Sequence, residues 1–144
     1  MDLSRFIEAQ EHIYADALAE LKVGQKHTHW MWFVFPQLRG LGRSEMAHRY
    51  GLVDAEEAKA YLAHPVLGAR LRECVAALLT HPDKSAHAIM GSPDDLKLHS
   101  SLTLFNAVAA ADDLVWRDAL NQFFAGQLDD ATLRLLVDLE SQRR

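Results

Sequence analysis

Apolar side chains recur every three or four positions along most of this chain, and no stretch alternates apolar with polar residues as a half-buried strand would. This periodicity predicts an all-α fold, and the punctuation between periodic runs reads as helix ends. Phe6, Ile13, Ala17 and Leu21 share one face with Tyr14 beside them, predicting a first helix from about Leu3 to Lys22, closed by Gly24. Ser44 caps a short segment ending at Tyr50-Gly51, and Asp54 with Glu57 forms a capping box for a helix through Ala63. His64-Pro65 opens the next, with Pro65 at its first position and Leu67, Leu71, Cys74, Val75 and Leu78 facing inward. Ser85 to Met90 is a short helix closed by Gly91. Ser92-Pro93 opens a longer one to about Ala111. Asp112 or Asp113 starts another, ended by Gly126, and Asp129 caps the last, whose C-terminal Arg143 and Arg144 match the helix dipole. The expectation is a single domain over residues 1–144 with about seven or eight helices, several of them short.

One segment resists the pattern. Trp30-Met31-Trp32-Phe33-Val34-Phe35 is apolar on every side, so periodicity cannot separate a buried helix from a buried strand. A lone strand would leave its backbone groups unpaired. A helix from His29 to Phe35, capped by Thr28 and stopped near Pro36, is therefore expected. Gln37 to Gly42 follows as a loop.

Charge is unevenly placed. The net charge is −5, which argues against non-specific nucleic-acid binding. Between Lys22 and Arg49, however, five cations (Lys22, Lys26, Arg39, Arg43, Arg49) face one acid, Glu45. Clustered cations favour an anionic ligand. Lys26, His27 and His29 sit at the expected helix start, where free N–H groups add to that preference. Trp30 or Trp32 would stack on a planar ligand, unless both are simply core. Arg39 and Arg43 lie in the loop behind. In the long helix, Lys97, Ser100 and Ser101 are candidates to line the same cavity, the alternative being that the hydroxyls bond carbonyls one turn earlier.

Other chemistries find little support. His27 and His29 are two apart with no carboxylate completing a set, so no metal site and no cofactor are expected. His29 is the sole candidate for proton transfer, and no residue is evident to orient it. Cys74 is the only cysteine and falls on an apolar face, an inert position. The polar start and the shortness of the apolar run predict a soluble cytoplasmic protein without a membrane span.

The block from His29 to Gln37 resembles a bacterial family of uncharacterised function, some of whose members carry the label calpastatin. The likeness extends through Gly40 to Ser44, Ala60-Tyr61-Leu62, His64 to Gly68 and Lys97 to Phe105. It implies a small all-helical domain, no established activity, and an arginine where His99 stands here. A calpastatin-like inhibitor would be long and disordered when free, unlike this apolar-rich chain. Two functional expectations result. One is binding, with turnover open, of a small anionic molecule such as a nucleotide, a phosphorylated compound or an ADP-ribosyl compound. The other is a helical protein-interaction module without catalysis. The first expects a cavity where the two stretches meet, the second an exposed apolar groove.

Overall fold

Leu98 and the whole run from Ser100 to Phe105 are buried, so the helix carrying them is enclosed on nearly every side. In the computed structural model, which describes residues 1–143, this is α8, Asp94–Val108. A helix buried all round needs neighbours all round. It packs against α5 (Ala55–Ala63), α7 (Ala86–Met90), α9 (Val115–Phe124) and α10 (Asp130–Gln142). A second layer joins α6 (Leu67–Leu79) to α2 (Tyr14–Val23), α5 and α9. Each fully buried leucine or phenylalanine on α8 contributes roughly 1.5–3 kcal/mol by leaving water.

Ten helices are present among the described residues, more than the seven or eight expected, and no strand. Among the described residues the only sheet-like feature is an isolated parallel bridge between Leu38 and Leu52. Arg39 N–H donates to Leu52 O at 2.8 Å and Leu52 N–H to Gln37 O at 2.9 Å. Gly51 permits this approach, because a Cβ there would lie 2.6 Å from Arg39 Cα.

The extra helices have physical causes. The expected helix from Leu3 to Lys22 is two helices, α1 (Ser4–Gln10) and α2, with a break at residues 11–13. They serve different partners, α1 packing on α3 (Met31–Val34) and α2 on α6. Gln10 ends α1 fully buried, its Nε2 donating to Phe33 O at 2.6 Å. The expected helix from His29 to Phe35 shrinks to α3, a single turn, and Thr28 does not cap it. Pro65 is likewise not the first residue of α6. The His64 ring caps that helix, its Nδ1 accepting the N–H groups of Val66 and Leu67 at 3.1 and 3.2 Å.

Two expected caps are in place: Ser44 Oγ accepts Ala47 N–H ahead of α4 (Glu45–Tyr50), and Asp54 accepts Glu57 N–H ahead of α5. Ser85, expected as the first residue of its helix, instead caps α7 by accepting Ala88 N–H. Asp129 precedes α10 but spends its side chain differently. Its Oδ2 accepts from Ser100 Oγ at 2.8 Å and from Thr132 Oγ1 at 2.5 Å, fastening α10 to α8. Arg144 lies outside the described residues, so the dipole match expected there rests on Arg143 alone. Among the described residues no helix is long and apolar enough to cross a membrane.

Candidate functional site

Of the six residues from Trp30 to Phe35, only Trp32 is not buried. That division separates core from wall. Trp30 is fully buried and tilted against Phe35, 6.2 Å between ring centroids. Its Nε1–H donates to Glu20 Oε1 at 3.1 Å, so it presents no free face to a ligand. Trp32 lies at a surface depression, with Lys97 Nζ 5.0 Å from its ring centroid.

The expected anion site at a His29 helix start does not exist in that form, because residues 25–30 are irregular. Two of their backbone donors are already taken by an internal anion. Glu20 Oε1 accepts the N–H groups of His27 and Thr28 at 2.7 and 2.9 Å, and Oε2 accepts Thr28 Oγ1 at 2.5 Å. Burial alone would raise the pKa of this carboxyl. The bonds from Thr28, His27 and Trp30 outweigh it and bring the value down to about 2. Glu20 thereby clasps the loop that carries Lys26 and His29 onto the last turn of α2.

The start of α8 lies opposite that loop. Lys26 Nζ contacts Asp94 Oδ2 at 2.8 Å, donates to Thr28 O at 2.6 Å and lies 4.9 Å from the Trp30 ring centroid. Its side chain is only 6% exposed, so this ammonium is largely committed inside the protein. Lys97 is freer, with its side chain 26% exposed and Asp94 Oδ1 3.8 Å away, beyond hydrogen-bond reach. Asp94 opens α8 and bridges the two lysines.

Three depressions meet at Lys97. A cleft of about 340 Å³ is bounded by Lys26, His27, His29, Met31, Trp32, Asp94 and Lys97, with Met90, Ser92 and Pro93 completing it. A groove of about 300 Å³ runs the other way along α8 past Gln37, Leu41, His99, Ser100 and Asp129. Between α3 and α4 lies a narrow slot of about 10 Å³, walled by Met31, Trp32, Phe35, Gln37, Met46, Tyr50 and Lys97. The cleft and groove are large enough for a small molecule; the slot has room for about one water.

The structure thus brings together four of the residues singled out from sequence: Lys26, His29, Trp32 and Lys97. Ser100 opens onto the groove with its hydroxyl bonded to Asp129 and, at 3.3 Å, to Leu96 O. Ser101 is fully buried, its Oγ has no partner, and it lines none of these depressions. Arg39 is turned away, its Nε donating to His48 O at 2.8 Å, and Arg43 is exposed outside all three. Gln37, Met46 and Asp94 join the site without a local signal that marks them as lining residues. Among the described residues no group of three or more histidine, cysteine or carboxylate side chains could hold a metal ion.

The fold and this cleft define a small, ten-helix domain with a lysine-bearing depression beside a central helix. The chain belongs to the family described as "Protein of unknown function (DUF1810)", whose model matches residues 1–136. It is similar to a solved structure, the conserved hypothetical protein Rv1873 from Mycobacterium tuberculosis. The two share 47% sequence identity over 94% of this chain and 96% of the other, with a TM-score of 0.92. No curated protein matches the chain.

Proposed function

We propose that this protein binds a small anionic molecule, such as a nucleotide, a phosphorylated compound or an ADP-ribosyl compound, in the cleft between the 26–32 loop and the start of α8. One observation carries the reading: Lys26 and Lys97, far apart along the chain, face the same cleft with Trp32 as its wall. Two ammonium groups against the single Asp94 carboxylate leave one net positive charge there. The partial positive charge at the α8 N-terminus adds to it. That balance suits a ligand with one or two negative charges better than a polyphosphate. Lys97 makes the direct contact, Lys26 contributes field from within, and Trp32 supplies an aromatic surface. His29, which lines the cleft beside His27, is available to donate or accept a proton.

The test is thermal shift of the wild type and Lys97→Ala against inorganic phosphate, pyrophosphate and nucleoside monophosphates. A ligand at ten times its dissociation constant stabilises the native state by about 1.4 kcal/mol, a rise of about 4 °C for a chain of this size. The reading predicts that rise for at least one phosphate and its loss in Lys97→Ala. No rise with any of them rejects it.

A second reading, docking of a protein segment, is favoured at a different place. On the outer face of α10, Leu136, Val137, Glu140 and Ser141 border a shallow hollow, and Val137 is 64% exposed. Val137→Asp tests it: loss of a partner recovered by the wild type supports docking, and unchanged recovery rejects it.

A further inference from the structure

The three tryptophans are treated differently by the fold. Trp30 Nε1–H donates to Glu20 Oε1 at 3.1 Å and Trp116 Nε1–H to Asp113 Oδ2 at 3.0 Å. Both indoles are thus given carboxylate oxygens. Trp32 Nε1 is shielded from solvent and has no partner, one of two such side-chain atoms among the described residues. A donor left so costs free energy that the fold has avoided at the other two indoles.

The side chain that carries this donor lines both the cleft and the slot beside it. Trp32 and Met31 form the partition between the 340 Å³ cleft and the 10 Å³ slot, and Lys97 lines both. The slot is otherwise largely apolar, with the Gln37 carboxamide and the Tyr50 phenol its remaining polar side chains. What surrounds the indole on this side is flexible. Met31 and Met46 are unbranched thioethers, and Lys97 covers the ring with a mobile stem. An entering group can displace them without breaking a hydrogen bond of the backbone.

We infer that the molecule held by this cleft carries, beside its negative charge, an uncharged hydrogen-bond acceptor that takes the Trp32 Nε1–H. The chemical class is a small monoanion bearing a neutral acceptor on a flat ring, of which a pyridine carboxylate is the simplest. Its carboxylate pairs with Lys97, and its ring meets the edge of the Trp32 indole so that the ring nitrogen accepts from Nε1–H in the plane of both rings. Trp32 is then a specificity-determining residue. The inference rests on the cleft being an anion site, as proposed above.

The experiment uses nicotinate and benzoate, which share a carboxylate on a six-membered ring and differ in the ring nitrogen. Each is titrated into ¹⁵N-labelled full-length protein, with inorganic phosphate as a third probe. The readouts are affinity and the position of the Trp32 indole N–H signal, assigned through bonds in the wild type. Nicotinate is expected to bind about fivefold or more tightly than benzoate, the worth of one hydrogen bond. It alone should move the Trp32 signal downfield. In Trp32→Phe the preference for nicotinate over benzoate should vanish, whatever the fall in affinity common to both; if that variant does not fold, the wild-type indole signal decides by itself. Equal binding of both carboxylates with a stationary indole signal overturns the inference and leaves the anion site standing. Binding of phosphate with no response to either carboxylate overturns it equally. No response to any of the three, including phosphate, removes the anion site and this inference with it.

Discussion

Replacing Glu20 by glutamine isolates the charge of the clasp from its geometry. The glutamine Oε1 can accept the three N–H groups that now point at Glu20 Oε1, and its Nε2 can donate to Thr28 Oγ1. The hydrogen bonds survive and only the negative charge goes. A carboxyl held at about 2 instead of 4.5 corresponds to about 3.4 kcal/mol at full effect. Glu20 is partly open to solvent, so screening reduces this, and about 1.5 kcal/mol is the expected loss. Glu20→Ala, which strands the donors as well, should lose about 3 kcal/mol. Urea unfolding at pH 7 reads both, the glutamine variant shifting the midpoint by about 1 M. The pH dependence supplies a second signature. Because the folded pKa is depressed, the carboxylate's contribution is fully present above about pH 5 and is lost as pH falls toward 2. Wild type should therefore lose about 1.5 kcal/mol more than Glu20→Gln across that window. A glutamine variant as stable as wild type at pH 7, with the same pH profile, would refute the reasoning.

Three further outcomes are expected. A Cβ at Gly68 would lie 2.0 Å from Leu62 O, so Gly68→Ala should destabilise by about 3 kcal/mol despite alanine's better helix propensity, read as a drop of roughly 10 °C in Tm. Burial pushes the Cys74 thiol up to about 12, so the native protein should resist alkylation by iodoacetamide at pH 8 and react only when unfolded, as mass spectrometry would report. Arg43→Ala and Arg39→Ala should leave phosphate binding within twofold of wild type, because neither side chain lines the cleft; a tenfold loss on titration calorimetry in either would move the site toward the 39–43 loop.

Helices that bury one broad face were legible from periodicity, and the caps at Ser44 and Asp54 stood out because each bonds its own next turn. The break between α1 and α2 was not, since no glycine or proline marks residues 11–13. It arises from tertiary demand: Gln10 must turn inward to reach Phe33 O and the Tyr61 hydroxyl, and a polar residue used as core breaks the apolar pattern. The shortness of α3 was hidden for the opposite reason, as residues buried on all sides carry no period. In the site, the convergence of Lys26, Trp32 and Lys97 followed from charge clustering and aromatic content. The role of Glu20 did not, because an acid in the last turn of a helix ordinarily faces water. Nor did the neutralising position of Asp94, because an acid in the first turn of a helix is ordinary there.

The cleft is tested most directly by mapping phosphate onto the chain through backbone amide shifts. Titration with inorganic phosphate is predicted to perturb residues 26–32 and 94–99 together, saturably, and to leave the Lys97→Ala spectrum unmoved. Perturbations confined to the 39–43 loop or to α10, or a map that survives Lys97→Ala, would contradict the account.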